Sequence, residues 1–121
     1  MLRWLLPAGL GKRRHVAKTP KQVYQHIDAA FEAVDPDRAE CEISQGALTI
    51  SLPDGAKWIL SQQPPVRQLW LAVASLGRAY HFNYDAATGN WRDDKGEGLE
   101  LMGHLEQLLR DVAGVDVTLR S

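Results

Sequence analysis

Apolar residues recur at helical spacing near both ends of the chain and alternate with polar residues in between. The first helical stripe consists of Val23, Ile27, Ala30, Phe31 and Val34. Thr19 and Gln22 precede it with the spacing of a capping box, so we expect the helix to begin there. We expect it to end at Asp35, because Pro36 disfavours a helical conformation at the residue before it.

A second helical stripe lies close to the end of the chain. It consists of Leu99, Met102, Leu105, Leu108, Leu109 and Val112. Gly114 is a plausible stop for this helix, because glycine adopts the left-handed conformation that commonly ends helices. The spacing therefore predicts a helix followed by an extended tail over residues 115–119.

The central part of the chain has the two-residue period of strands separated by turn residues. The expected strands lie around Cys41–Ile43, Ala47–Leu52, Lys57–Ser61, Arg67–Val73, Tyr80–Tyr84 and Trp91–Arg92. Strands joined by such short turns pair antiparallel, and two terminal helices can cover one face of the sheet. We therefore predict an α+β two-layer sandwich with an antiparallel sheet of about six strands. Leu69 and Leu71 should face the helices, which leaves Trp70 on the uncovered sheet face.

Composition fits one globular domain. The chain has 121 residues, is 45% hydrophobic and 24% charged, and carries a formal net charge of -1. These values exclude a disordered chain and a two-domain enzyme, and bulk charge gives no reason to expect a nucleic-acid partner. The single cysteine, Cys41, excludes an internal disulfide and a cysteine-based zinc or iron–sulfur site. No apolar run reaches the ~18 residues of a membrane span.

The N-terminal segment is basic and free of acidic residues. We expect residues 1–18 to form a flexible extension and residues 19–121 to form the domain. Most of the positive charge follows the apolar residues 1–10, whereas a secretory signal has its charge first. We therefore expect a cytoplasmic protein, with a mitochondrial presequence as the alternative.

Acidic residues are concentrated in the next segment, where residues 28–54 hold seven acids and one base. Six of these acids are candidates for a metal-binding ridge: Asp28, Glu32, Asp35, Asp37, Glu40 and Glu42. The first three have the spacing of one helix face, and Glu40 and Glu42 share one strand face. Such carboxylates would bind hard cations weakly. An ordinary solvated face, or a surface that meets a basic partner, explains the same charges.

The other reactive residue types give little indication of chemistry. The four histidines have no paired metal spacing, and no hydrolase or phosphate-binding motif is present. Cys41 is expected to point into the core rather than act as a nucleophile. Trp70 is a candidate interface anchor, with Gln63, Gln68 and Arg78 as polar contacts around it. A tryptophan packed against neighbouring strands is the alternative.

Several blocks of the sequence resemble the frataxin family, and in particular its bacterial branch, called CyaY. The blocks are Glu40–Ile43, Gly46–Ile50, Gln62–Ala72, Tyr80–Phe82, Gly89–Trp91 and Leu99–Met102. The similarity covers about residues 19–112. The block from Gln62 to Ala72, with its glutamine, proline, leucine and tryptophan residues, is the most specific part.

The resemblance implies an iron-binding accessory protein of iron–sulfur cluster assembly. By this similarity, the six acids form a ridge that binds ferrous or ferric iron weakly. Gln68 and Trp70 match the family's sheet-surface pair that contacts a cysteine desulfurase and a scaffold protein, and Arg78 lies near a basic position of the family. The resemblance also implies a monomer that forms iron-dependent oligomers. The acidic ridge is thinner here, because Ala29, Ala30 and Ala33 stand among the acids.

The resemblance leaves two other roles open. One is a pure protein-interaction regulator of the desulfurase, in which the acids serve only to meet a basic partner. The other is a ferroxidase, which would need a preorganised centre of carboxylates and histidines. No such centre is recognisable in the sequence.

Overall fold

Helix α1 (Pro20–Ala30) begins at the predicted capping box in the computed structural model, which describes residues 17–120. The Thr19 hydroxyl accepts a hydrogen bond from the backbone N–H of Gln22 at 3.1 Å. The Gln22 side chain accepts one in return from the backbone N–H of Thr19 at 3.2 Å. These two hydrogen bonds satisfy N–H groups that have no partner within the helix, and they so fix where α1 starts. The basic extension predicted for residues 1–18 falls almost entirely outside the described residues.

The end of α1 differs from the prediction. The α-helix stops at Ala30 and is followed by a 3₁₀ turn over Phe31–Ala33, after which Val34 is extended. Asp35 therefore lies beyond the helix, and the expectation that it shares a helix face with Asp28 is wrong. Pro36 disfavours a helical Asp35, whose carboxylate instead accepts from the backbone N–H of Asp37 at 2.9 Å.

Six antiparallel strands form one meandering sheet in chain order. They are β1 (Glu40–Ser44), β2 (Ala47–Ser51), β3 (Lys57–Gln63), β4 (Gln68–Val73), β5 (Arg78–Asp85) and β6 (Asn90–Asp93). Helix α2 (Leu101–Ala113) follows β6 and packs with α1 against the sheet. The α+β sandwich with two terminal helices and six strands is confirmed.

Alternation along the strands separates the two faces of the sheet. On β4, Leu69, Leu71 and Val73 are buried, whereas Trp70 is half-buried and Ala72 is exposed. The buried residues contact the helices in one continuous core. The opposite side, which we call the open face, is not covered by either helix, as the alternation predicts. Within residues 17–120, no helix has the length and apolar character needed to cross a membrane.

The segment that follows α2 lies on the same side of the sheet as the two helices. Helix α2 stops at Gly114, which adopts the left-handed conformation at φ 67°, as predicted. Beyond it, Val115, Val117 and Leu119 are buried while the residues between them are exposed. This tail therefore completes the core, and its alternating burial fits the extended conformation expected from the sequence.

Candidate functional site

Four of the six candidate acids meet at one edge of the molecule. Asp28 from α1, Glu32 from the 3₁₀ turn, and Glu40 and Glu42 from the edge strand β1 line one shallow depression. We call these four residues the acidic edge. Asp28 is half-buried and the other three are exposed. The structure therefore brings carboxylates from three elements together, and four of the six acids expected in the ridge are among them.

The carboxylates of the acidic edge do not converge on one point. Glu40 lies opposite Ser51 and Glu42 lies opposite Thr49, so both belong to the open face of the sheet. Asp28 lies on α1, on the other side of β1. Within residues 17–120, no three His, Cys, Asp or Glu side chains come close enough to hold a metal ion. The acidic edge can therefore attract cations, but it offers no preformed chelate.

The remaining two candidate acids form a turn. The Asp35 side chain caps the N–H of Asp37, and the Asp35 carbonyl accepts from the backbone N–H of Arg38 at 2.8 Å. Arg38 in turn donates from Nη2 to the carbonyl of Gly114 at 2.7 Å, beyond the end of α2. The turn therefore ties the end of the α1 segment to the end of α2, while leaving Asp35 and Asp37 exposed.

Cys41 lies at the acidic edge, between the two glutamates of β1, and points toward α1. Burial raises the pKa of its thiol to about 12, and the charge of Asp28 and a hydrogen bond with it act in the same direction. A thiol with this pKa stays protonated near neutral pH, and the thiolate is the form that attacks or ligates. Cys41 is thus an inert, half-buried residue packed against the core.

Trp70 lies near the middle of the open face. It pairs with Ser61 on β3 and with His81 on β5. The indole and imidazole rings are stacked, with centroids 4.2 Å apart and planes inclined by 13°. The next row of the open face holds Gln63 and Gln68, which pair with each other. Three of the four predicted contact residues therefore lie together on this face.

Arg78 does not lie beside Trp70, so that part of the prediction is wrong. The arginine begins β5 and shares the helical face with Tyr80; its guanidinium carbon is 4.7 Å from the centre of the tyrosine ring. His81 is three residues further along the strand and therefore points to the opposite face. The sequence pattern predicts that this strand starts at Tyr80, two residues later than it does, and so it does not indicate which face Arg78 occupies.

Sequence reasoning missed two residues that contact the Trp70 neighbourhood, His81 and Asp94. Pairing the fourth and fifth strands through their short turn would have brought His81 opposite Trp70. Asp94 follows β6, and nothing in the sequence pattern indicates that it returns to the open face. Its carboxylate oxygen Oδ2 lies 3.5 Å from Nδ1 of His81 and accepts from Nε2 of Gln68 at 3.0 Å.

Exposed apolar side chains extend from Trp70 toward the acidic edge. Ile59 on β3, Ala72 on β4 and Ala79 on β5 lie in one row of the open face. Ile59 is 40% exposed, and both alanines are exposed. The same row continues through Thr49 to Glu42. An apolar strip with the acidic edge at one end fits a partner surface that presents apolar and basic side chains together.

The described histidines other than His81 have structural contacts. A ring nitrogen of His26 is hydrogen-bonded to the backbone carbonyl of Leu119 in the C-terminal tail. His104 packs edge-on against Tyr80, with ring centroids 4.6 Å apart. Burial lowers the pKa of His104, and the charge of Arg78 lowers it further. These positions agree with the structural role predicted for them.

Comparison with known proteins identifies relatives over most of the chain. The family model described as "Frataxin-like domain" matches residues 13–115. The "Iron-sulfur cluster assembly protein CyaY" of Pseudomonas aeruginosa is 44% identical over 70 residues, which cover 58% of this chain and 62% of that protein. The protein of the same name from Pseudomonas fluorescens strain Pf0-1 is 36% identical over 96 residues, covering 78% of this chain and 83% of the relative.

A solved structure has the same architecture. It is described as "Frataxin from Psychromonas ingrahamii as a model to study stability modulation within CyaY protein family". It superposes with a TM-score of 0.72 at 26% sequence identity, and the match covers 84% of this chain and 90% of that chain. The fold, the family model and the relatives therefore agree with one another.

Proposed function

This chain belongs to the frataxin-like domain family, and from that premise we propose that it is an accessory protein of iron–sulfur cluster assembly. It docks on the assembly machinery through the open face around Trp70 and through the acidic edge. The partners are a cysteine desulfurase and its scaffold protein, as the resemblance implies. Because the relatives are bacterial proteins, the proposal locates the chain in a bacterial cytoplasm.

The observation that supports docking most directly is the position of Trp70. A large aromatic side chain lies on a sheet face that neither helix covers, and it continues into the exposed strip of Ile59, Ala72 and Ala79. Contiguous exposed apolar surface is unusual on a soluble protein unless it binds something. Tryptophan is also among the residues that most often dominate interface energetics.

Replacement of Trp70 tests the docking surface. We expect Trp70→Ala to weaken binding to the cysteine desulfurase by about 2 kcal/mol, roughly a 30-fold change in Kd. The matched control is Val112→Ala, which removes another exposed apolar side chain, 41% exposed, from α2 instead. Both affinities would be measured by isothermal titration calorimetry, with and without the scaffold protein.

Thermal melts separate docking from folding in the same variants. Trp70→Ala should lower stability only modestly, whereas Trp58→Ala removes a fully buried side chain and should cost ~3–5 kcal/mol. An unfolded Trp70→Ala, or a folded one that binds the desulfurase with wild-type affinity, would show that Trp70 is a core residue and that the docking surface lies elsewhere.

Iron is the proposed cargo of the acidic edge. Exposed carboxylates attract hard cations, but because these side chains do not converge, no more than two of them can bind the same ion. We therefore expect weak binding that falls as salt is raised. Ferrous iron titrated under anaerobic conditions should broaden the amide NMR signals of residues 28–42 first. Glu40→Gln should reduce that effect, and Glu97→Gln, which changes an exposed acid beyond the opposite edge strand of the sheet, should not.

A second function is favoured by the same spread of carboxylates. If the acidic edge serves only to meet a basic partner, the protein regulates the desulfurase without delivering iron. In that case Glu40→Gln weakens desulfurase binding equally with and without iron. Iron-dependent broadening centred on His81 or His104 would instead contradict the acidic edge as the cargo site.

A further inference from the structure

Four side chains of the open face form a closed ring of contacts around Trp70. The indole N–H of Trp70 donates to Oε1 of Gln68 at 2.8 Å. Nε2 of Gln68 donates to Oδ2 of Asp94 at 3.0 Å. The same oxygen lies 3.5 Å from Nδ1 of His81, and His81 stacks on Trp70. We call these four residues the indole ring clamp.

The backbone anchors the members of the clamp that come from outside β4. His81 is held directly opposite Trp70 by the pairing of β4 with β5. Asp94 lies just after β6, and its backbone N–H donates to the carbonyl of His81 at 2.9 Å. This main-chain hydrogen bond holds the backbone of Asp94 in place, so that its carboxylate lies within hydrogen-bonding distance of Gln68.

The side-chain amide of Gln68 has all of its hydrogen-bonding groups occupied within the chain. Besides Asp94, its Nε2 also donates to Oδ1 of Asn83 at 3.2 Å, so that both of its N–H groups have partners within the chain. Its oxygen accepts from the Trp70 indole. The indole N–H is therefore satisfied before any partner arrives, and a partner meets the ring surface of Trp70 without having to supply an acceptor.

Such an arrangement lowers the cost of docking. An unrestrained tryptophan on a surface loses rotamer freedom when a partner immobilises it, and that loss subtracts from affinity. Here His81 covers one face of the indole, while the residue opposite on β3 is the short side chain of Ser61. The indole is thus ordered in the free protein and has only a small neighbour on its other side.

We propose that His81 and Asp94 are positioning residues for docking, which act by fixing the orientation of the Trp70 indole through stacking and through Gln68. The inference rests on the proposed docking function, because it concerns how the same surface is prepared. It assigns Gln68 to positioning the tryptophan, and it adds two residues that the sequence did not single out.

The first part of the test needs no partner. Exchange of the Trp70 indole N–H with solvent is followed by NMR, with the signal assigned by its loss in Trp70→Phe. We expect His81→Ala to accelerate this exchange about fivefold, a factor within the range of aromatic pair energies. His81→Phe keeps a stacking ring and should restore slow exchange. Ser61→Ala is the matched control, because Ser61 faces Trp70 from the other neighbouring strand.

Asp94 provides an independent pair of variants. Asp94→Ala removes one of the two acceptors of Gln68 and should accelerate exchange, whereas Asp94→Asn retains an acceptor oxygen and should not. Asp94 is exposed after β6, so Asp94→Ala carries the test if thermal melts show that His81→Ala is unfolded. Slow, wild-type exchange in both alanine variants would overturn the inference, whatever their affinities.

The second part measures affinity for the cysteine desulfurase in the same variants. His81→Ala should bind about fivefold more weakly, and His81→Phe and Ser61→Ala should bind like wild type. Faster exchange with unchanged affinity would overturn the docking role while leaving the proposed function intact, provided that Trp70→Ala still binds weakly. Wild-type affinity in Trp70→Ala would instead refute the proposed docking surface, and the positioning role would fall with it.

Discussion

The environment of a single thiol illustrates how the acidic edge acts at the scale of one residue. Cys41 is half-buried beneath α1 and lies beside the carboxylate of Asp28. Burial removes water that would stabilise a thiolate, and the neighbouring negative charge disfavours it further, which raises the thiol pKa to about 12. The acidic edge therefore contains no reactive thiol.

Alkylation kinetics test this environment. At pH 8 a thiol with a pKa of about 12 is ionised in roughly one molecule in 10⁴, so the folded protein should react with iodoacetamide about a thousandfold more slowly than the unfolded chain. Asp28→Asn removes one cause of the high pKa and should speed the reaction, while Glu32→Gln serves as the control. Equal rates in the folded and unfolded protein would contradict the assigned environment.

Between elements, the contact that most clearly organises the fold is made by one carboxylate of α2. Glu106 is 5% exposed and lies among the apolar residues of its helix. Its Oε2 accepts from the backbone N–H of Leu119 at 2.6 Å and of Arg120 at 3.0 Å, and its Oε1 accepts from the Arg120 guanidinium. The carboxylate therefore pins the C-terminal tail, which closes the core, onto α2.

Acid should loosen the tail through this carboxylate. Hydrogen bonds from the tail backbone and the charge of Arg120 lower the pKa of Glu106 against the opposing effect of burial. A depressed folded-state pKa means that Glu106 contributes its stability above its unfolded value, near 4.5, and loses it as pH falls through the folded value. Glu106→Gln should cost ~3 kcal/mol at pH 7 and flatten the acid side of the stability curve.

Urea denaturation between pH 3 and pH 7 measures that curve. Glu97→Gln, which replaces an exposed glutamate, is the matched control and should keep the wild-type slope. The protection factor of the Leu119 amide, which is its exchange rate compared with the intrinsic rate at the same pH, should fall with falling pH in the wild type and be low at every pH in Glu106→Gln. A Glu106→Gln variant with wild-type stability would show that the tail is held by its apolar side chains alone.

At the element scale the sequence predicts what is set by neighbouring residues better than what is set by contacts between distant segments. The start of α1 follows from Thr19 and Gln22, and the alternation around Leu69 fixes the face of Trp70, because both signals are local. The end of α1 is a competition between helix and turn, which Asp35 decides with its own side chain. The role of Glu106 depends on a tail that returns 13 residues later, and no local pattern indicates it.

Over the whole molecule, acidic and basic residues are segregated, and this arrangement has a cost in stability. The bases of the N-terminal part and the acids of residues 28–54 nearly cancel in the net charge of -1, yet they are segregated along the chain. None of the four carboxylates of the acidic edge lies within 4.0 Å of a basic side chain among residues 17–120. Like charges held together repel in the folded state, so the acidic edge is a feature that packing alone would not favour.

Removing charge from the acidic edge should therefore stabilise the protein. Neutralising one of several clustered, exposed carboxylates relieves ~0.5 kcal/mol of repulsion, so the double variant Glu40→Gln, Glu42→Gln should raise Tm by about 4 °C. Asp116→Asn, an exposed acid on the tail, is the control for loss of one negative charge elsewhere. The gain should shrink as salt is raised from 10 mM toward 1 M, since exposed charges are screened over about 3 Å at the higher concentration.

Mg²⁺ at a few millimolar should raise the Tm of the wild type more than that of the double variant, because cations are attracted to charges that the variant lacks. Differential scanning calorimetry measures all three effects, and an unchanged or lower Tm in the double variant would mean that the four carboxylates are too far apart, or too well solvated, to repel one another.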